Sequence, residues 1–118
     1  MRLTLPWSVL VSDNAKHGGM VGRLTRRYRF GKEALSMVVM SQVRGTRPLY
    51  TSVPLALVAE FYPPDLRRRD VTNLCKLMFD AMQGIVYDDD RYLFDVRLLR
   101  RAPCAKNPRV ELEIQEAA

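Results

Sequence analysis

The stretch "DVTNLCKLMFDAMQGIVYDDDRYLFDVRLLR" (residues 70–100) decides the fold, because it combines a helix, a turn and a strand. Apolar side chains recur at helical spacing in its first part and predict one buried stripe, formed by Val71, Leu74, Cys75, Met78 and Met82. Asp70 is a favourable N-cap, and Gly84 is a favourable end for this helix. The bulky apolar residues of 91–100 then predict a strand.

The remaining chain alternates between the same two kinds of element. "MRLTLPW" (residues 1–7) predicts a short strand ended by Pro6. Residues 12–30 predict a basic loop with a strand near its end, and residues 31–44 a helix in which the methionines fill the core. Residues 51–62 and 109–115 alternate as strands do, and Pro54 indicates an edge position or a bulge. The order predicts one small α/β or α+β domain over residues 1–118, with a mixed sheet packed by two main helices.

Charge is unevenly distributed along the 118 residues, whose net charge is +6. Residues 1–69 carry 12 Lys/Arg and 4 Asp/Glu, hence +8, whereas residues 70–118 carry 7 and 9, hence −2. A basic body suits a polyanionic partner such as nucleic acid or an acidic membrane surface. The two cysteines lack metal-ligand spacing, and the apolar N-terminal stretch is too short to span a membrane, so we expect a cytoplasmic protein.

Acidic side chains stand at both ends of the helix–turn–strand unit. Asp70 precedes the helix, and Asp89 and Asp90 precede the strand that follows it. If the helix packs across the sheet, these carboxylates can meet at one end and hold a divalent cation, while Lys76 stabilises charge on a phosphate. The simpler alternative is that Asp70 only caps the helix, that Arg67–Arg69 are solvated, and that the acidic triple is a turn.

The joint pattern "RRRDxxNxxK" followed by "DDD" resembles the RusA family of Holliday junction resolvases, which are common in phages and prophages. Residues 67–97 carry the specific part of the resemblance, and "LPWSVLVSDN" (residues 5–14) is similar to the start of the family. The resemblance implies a RusA-like fold and a homodimeric crossover junction endodeoxyribonuclease. Such an enzyme uses Mg²⁺, with Mn²⁺ as an alternative, to make paired nicks in a four-way DNA junction during recombination and repair.

The resemblance also implies roles for single residues. Asp70, Asp89 and Asp90 would bind the metal and catalyse, with Asp90 the better match to the catalytic aspartate and Lys76 assisting. We expect phosphate contacts from Arg67, Arg68, Arg69, Asn73, Lys76 and Arg27, with Arg23, Arg26 and Arg29 as further candidates. A steep fall of affinity with salt would follow. The expected partners are branched DNA and a second copy, with no membrane, in the bacterial host of a phage or prophage.

Thr72 is the departure from the family pattern, which has a second aspartate at this position. A hydroxyl can hold a water or a phosphate oxygen but supplies no charge. Two further functions therefore stay open beside an active nuclease. One is a non-catalytic protein that binds branched DNA through a weakened metal site. The other is a basic RNA-binding domain, although no motif of stacking aromatic residues is present.

Overall fold

The computed structural model describes residues 1–10 and 26–118, which form one four-stranded sheet and two helices. The strands are β1 (Arg2–Pro6), β2 (Leu55–Tyr62), β3 (Leu93–Arg100) and β4 (Arg109–Glu116). The helices are α1 (Arg26–Gln42) and α2 (Thr72–Met82), and short 3₁₀ turns follow β1 at Trp7–Val9 and precede β3 at Asp90–Tyr92. The predicted α+β domain with a mixed sheet and two helices is confirmed.

The sheet has the strand order β1-β4-β2-β3. The last strand, β4, lies between β1 and β2 and is antiparallel to both, whereas β3 is parallel to β2. A parallel pair needs a crossover connection, and here α2 lies in that connection. The start of α2 therefore lies beyond the end of β2, and its end leads back to the start of β3.

Both helices cover the same face of the sheet. Alternate residues of β2, from Leu55 to Phe61, are fully buried and continue through Val110, Leu112 and Ile114 of β4 into one core. The helices contribute Leu35, Val39, Leu77 and Met78 to this core. The intervening strand residues, such as Val58 and Glu60, lie on the opposite face. In β1, β2 and β4 one half of the alternating side chains is thus used for the core, as in other sheets covered on one side.

Helix α1 begins earlier than its sequence indicates. The expectation of a strand near the end of residues 12–30 is wrong for residues 26–30, which are helical. Tyr28 is the reason, because it is 1% exposed and lies on the same stripe as Leu35 and Val39. The expectation that the α1 methionines fill the core is also wrong, since Met37 is 68% exposed. The rest of the predicted basic loop, with Arg23, lies outside the described residues.

The ends of β2 and α2 follow from local sequence. Pro54 stands just before β2, and the register against β3 shifts between Leu55 and Ala56, so of the two predicted consequences the bulge is the one observed. β2 itself is an inner strand. Helix α2 ends at Met82, and Gly84 follows with a φ of +87°, a left-handed conformation that glycine adopts without steric cost. In the described residues, no helix is long and apolar enough to cross a membrane.

Candidate active site

Asp70 and Thr72 form a closed pair at the start of α2. One carboxylate oxygen of Asp70, Oδ1, accepts hydrogen bonds from the Thr72 hydroxyl at 2.6 Å and from the Thr72 main-chain N–H at 3.0 Å. These two bonds, the hydroxyl first, lower the pKa of Asp70 below its ordinary value. Val71 is the residue that precedes the helix, one position later than predicted. Asp70 nevertheless accepts a hydrogen bond from one of the main-chain N–H groups that have no partner within the helix.

The arginine run before α2 is held in a defined shape. Arg69 makes a 2.8 Å ion pair with Asp65, and its guanidinium lies 5.7 Å from the centre of the Trp7 ring. Arg100, from the end of β3, donates to the carbonyl oxygens of Arg69 and Arg67 at 3.2 and 3.1 Å. The side chain of Arg69 is only 20% exposed, whereas Arg67 and Arg68 are exposed. Arg67 and Arg68 can therefore reach a DNA phosphate more readily than Arg69 can.

Four of the predicted site residues line one hollow of about 270 Å³. They come from both helices and from the arginine run, and Trp7, Leu10 and Leu74 complete the wall; the four are Arg27, Arg69, Asp70 and Asn73. Two guanidinium groups and a carboxylate thus border one opening beside the N-terminal end of α2. The helix dipole adds positive potential at this end, so the hollow favours an anion such as a phosphate.

Lys76 lies on the same side of α2, three residues after Asn73 and thus about 4.5 Å further along the helix axis. Its ammonium nitrogen is 3.1 Å from Asp80 Oδ1 and 4.0 Å from Asp90 Oδ2. The ion pair with Asp80 spans one helix turn, and the contact with Asp90 connects α2 to the turn before β3. The structure therefore brings Lys76 and Asp90, two of the predicted site residues, within 4.0 Å of each other.

The three consecutive aspartates have three different environments. Asp88 accepts hydrogen bonds from the Ser52 main-chain N–H and hydroxyl at 3.2 and 3.3 Å, and the main-chain bond is the main cause of its lowered pKa. Asp89 accepts from the Arg91 main-chain N–H at 3.0 Å and caps the 3₁₀ turn. Asp90 contacts Lys76 of α2, and its main-chain N–H donates to Gln83 Oε1, just after the helix, at 3.4 Å. Asp88 thus binds the segment that contains Ser52, while the carboxylate of Asp90 lies near α2.

Tyr28 and Asp80 were missed as site residues. The buried hydroxyl of Tyr28 donates to Asp80 Oδ2 at 2.6 Å, so α1 fixes the carboxylate that in turn contacts Lys76. The sequence does place Asp80 on the polar side of α2 with Asn73 and Lys76, and this spacing was the available signal. Nothing in the sequence pairs Tyr28 with it, because 52 positions separate the two residues.

The carboxylates were expected to meet in a metal site. Among the residues that the structure describes, no group of three or more His, Cys, Asp or Glu side chains could hold a metal ion. Asp70, Asp89 and Asp90 therefore do not form a complete three-carboxylate site on their own. Their chemistry still fits Mg²⁺ or Mn²⁺, since Mg²⁺ is usually bound by one or two carboxylates, with waters and substrate phosphates supplying the other oxygens.

Comparison with known proteins shows which sequences this chain is similar to. The sequence model of a family described as Endodeoxyribonuclease RusA matches residues 11–115. The crossover junction endodeoxyribonuclease RusA of Escherichia coli strain K12 is 38% identical over 115 residues, covering 97% of this chain and 92% of the relative. The corresponding protein of Enterobacteria phage 82 is 26% identical with the same coverage, so a phage protein is among the relatives.

Proposed function

The chain belongs to the RusA family of endodeoxyribonucleases, and from this premise we propose that it resolves four-way DNA junctions by hydrolysing phosphodiester bonds. The observation that carries the proposal is the continuous polar face of α2. It begins at the hollow beside Asp70 and continues to the contact between Lys76 and Asp90. A phosphate bound along this face would meet cationic groups, a carboxylate and an ammonium group in succession.

Each residue of this face has a proposed role. Arg67 and Arg68 draw the DNA backbone to the start of α2, and Arg27 and Asn73 position one phosphate at the hollow. Lys76 stabilises the negative charge that develops on the phosphate oxygens in the transition state. Asp80 keeps the ammonium group in place through its 3.1 Å contact, and Tyr28 keeps Asp80 in place. Asp70 and Asp90 supply carboxylate oxygens for a catalytic cation, and Asp89 precedes Asp90 in the chain.

We further propose that Asp70 and the Asp89–Asp90 pair supply carboxylate oxygens to Mg²⁺, or Mn²⁺, and that the DNA phosphate and waters complete the ligand set, since the three carboxylates do not form a site on their own. When bound, such a cation supplies charge stabilisation and a more acidic water at the scissile phosphate. The lowered pKa of Asp70 supports this role, because a carboxylate that stays ionised attracts a cation over a wider pH range. The Asp70 oxygen that Thr72 does not engage, Oδ2, would be the ligand.

A homodimer follows from the proposed reaction, because two symmetric nicks in one junction need two active sites related by a two-fold axis. The reaction would take place in the cytoplasm of a bacterial host, where the substrate DNA lies.

The second candidate is a non-catalytic protein that binds branched DNA. One observation favours it, since Thr72 contributes a hydroxyl where the family pattern has an aspartate, and that hydroxyl is directed to Asp70. The site would then hold a cation less tightly than a site with one more carboxylate. Both candidates use the same arginines, so the affinity for DNA alone does not distinguish them.

A Mg²⁺ titration separates the two candidates. Binding and cutting of a synthetic four-way junction are measured at each Mg²⁺ concentration. A nuclease cuts only when the cation is added, and Asp70→Asn abolishes cutting while it preserves or tightens binding by removing a negative charge near the phosphate. A binding protein gives the same affinity at every Mg²⁺ concentration, no cut strand, and little response to Asp70→Asn. The second result would refute the proposed activity.

A further inference from the structure

Leu66 is an apolar side chain in the middle of a charged segment. It is 83% exposed, the highest value among the large apolar side chains in the described part of the chain. Asp65 precedes it, and the exposed Arg67 and Arg68 follow it. Single exposed leucines are common on protein surfaces, so exposure alone assigns no role. What sets Leu66 apart is its place in the segment that we propose to contact the DNA backbone.

The main chain on both sides of Leu66 is held in place. The Arg69 guanidinium donates to the carbonyl oxygens of Asp65 and Arg67 at 3.2 and 3.3 Å, and it forms the 2.8 Å ion pair with the Asp65 carboxylate. That carboxylate also accepts from the Arg67 main-chain N–H at 2.9 Å, and Arg100 donates to the Arg67 carbonyl. Leu66 therefore stands on a preformed bend, so little chain entropy is lost when its side chain is buried against a ligand.

Leu66 also lies close to the proposed active site. Arg69, which bonds the carbonyls on both sides of Leu66, lines the hollow beside Asp70. Asp70 is the fourth residue after Leu66, and four extended residues span at most about 14 Å. Each strand of duplex DNA rises about 3.4 Å per nucleotide. Leu66 therefore meets DNA within a few base pairs of a phosphate bound at the hollow.

An exposed leucine beside arginines suits one kind of DNA contact. Proteins insert leucine and other apolar side chains between neighbouring base pairs and partly unstack them, which costs stacking energy. At the branch point of a four-way junction the stack of base pairs is already interrupted, so insertion costs less there than in a linear duplex. Arg67 and Arg68 supply the phosphate contacts that hold the DNA against the inserted side chain.

From these observations we infer that Leu66 inserts between the bases at the branch point and so selects branched DNA over linear DNA. The inference rests on the proposed function and deepens it, because it names the feature of the substrate that is recognised. The arginines give affinity for any DNA backbone, whereas Leu66 adds affinity only where the base stack opens. A phosphate is then bound at the hollow most tightly when a branch point lies beside it.

Binding without divalent metal tests the selection. A four-way junction and a linear duplex of the same sequence are compared. Leu66→Ala should bind the junction at least about 10-fold more weakly than the wild type, because the burial of an aliphatic side chain is lost, and it should bind the duplex equally well. Leu66→Phe keeps a large apolar side chain and should keep the preference. Leu49→Ala is the matched control, since Leu49 is 39% exposed and its main-chain N–H bonds Ile85, beyond the far end of α2.

Fluorescence of 2-aminopurine at the branch point reports on unstacking, because this base brightens when it leaves the stack. We expect brightening with the wild type and Leu66→Phe, but not with Leu66→Ala, and none for a probe inside an arm. Circular dichroism checks that each variant is folded. A wild type that cuts with Mg²⁺ but leaves the branch-point probe unchanged, or an unchanged preference in Leu66→Ala, would overturn the insertion and leave the nuclease intact. A wild type that brightens the probe but never cuts would overturn the nuclease and support the insertion.

Discussion

At the scale of the residue, the pair of Asp70 and Thr72 is the most informative detail. The threonine hydroxyl donates to the neighbouring carboxylate at 2.6 Å. The neutral Thr72 therefore favours the ionised form of Asp70 but adds no second negative charge. The two bonds from Thr72 also hold the carboxylate of Asp70 in one orientation.

Removal of the hydroxyl should raise the pKa of Asp70. In Thr72→Val the main-chain N–H bond remains while the stronger of the two causes of the lowered pKa is lost. A carboxyl group with a lowered pKa stabilises the fold above its unfolded pKa and loses that contribution as the pH falls through its folded pKa. In the variant this loss should begin at a higher pH. Carbon-13 NMR titration of the Asp70 carboxyl measures the shift, with Thr4→Val, an exposed threonine on β1, as the control. An unchanged titration of Asp70 would contradict the assigned cause.

The sequence identified Asp70, Lys76 and Asp90 but not their bonds. Residues that are close in sequence are also close in space, so their types and spacing show which groups lie near a helix start. The direction of the Thr72 hydroxyl and the separate environments of Asp88 and Asp90 depend on side-chain rotamers and on Ser52, which lies 36 positions before Asp88. Such partners become apparent only when the folded chain brings them together.

At the scale of the element, α1 connects the core to the proposed active site. Its buried stripe runs from Tyr28 to Val39, and the hydroxyl of Tyr28 reaches across to Asp80 on α2. This bond joins the two helices at the point where Lys76 is held. The start of α1 was hidden in the sequence, because four Lys/Arg among residues 26–32 resemble a basic loop and the periodicity rests on few apolar residues.

Loss of the Tyr28 hydroxyl should weaken the contact between the helices. Tyr28→Phe leaves the ring in the core and removes one hydrogen bond to a carboxylate, so we expect the free energy of unfolding to fall by about 1–2 kcal/mol. Urea denaturation followed by circular dichroism measures the change. Tyr62→Phe is a matched control, because the Tyr62 hydroxyl also contacts a carboxylate, Glu60, but at 3.2 Å and on the open sheet face. Equal effects for the two variants would contradict the role given to Tyr28.

At the scale of the whole molecule, charged side chains are arranged differently on the two faces of the sheet. On the face without helices, ion pairs join Arg2 to Glu113, Arg101 to Glu60 and Arg109 to Glu111, so acidic and basic groups balance there. Arg67, Arg68 and Arg27 lie instead around the start of α2. Three cationic side chains thus stand together around the start of α2, where we propose that a DNA backbone approaches.

The affinity for a four-way junction should depend on Arg68 and far less on Arg2. Both arginines are exposed, but Arg2 lies on β1 at the opposite side of the molecule from α2. For Arg68→Ala we expect weaker binding and a slope of log affinity against log salt reduced by about 1, as for the loss of one phosphate contact. Fluorescence anisotropy at several salt concentrations gives the slope. Equal slopes for Arg68→Ala and Arg2→Ala would show that DNA does not bind preferentially around the start of α2.

The class and order of the elements could be read from the sequence, because hydrophobic periodicity and the turn residues report on local structure. The strand order could not. β4 enters between β1 and β2, which are its neighbours in space but not in sequence. The sequence also left open whether the aspartates converge, since that depends on how far α2 leans across the sheet. The structure brings Asp90 to Lys76 and leaves Asp70 at the hollow one helix turn and more away.

The central claim is that the α2 face with Asp90 cuts branched DNA. Single-turnover cleavage of a synthetic four-way junction with Mg²⁺ tests it most directly, with Asp90→Asn compared with the wild type and with Glu113→Gln. Glu113→Gln removes the same charge from the open sheet face. We predict paired nicks from the wild type and from Glu113→Gln. For Asp90→Asn we predict a rate lower by about 100-fold or more, because a proposed ligand of the catalytic cation is lost. A wild type that binds the junction without cutting it, or an Asp90→Asn variant as fast as the wild type, would contradict this account.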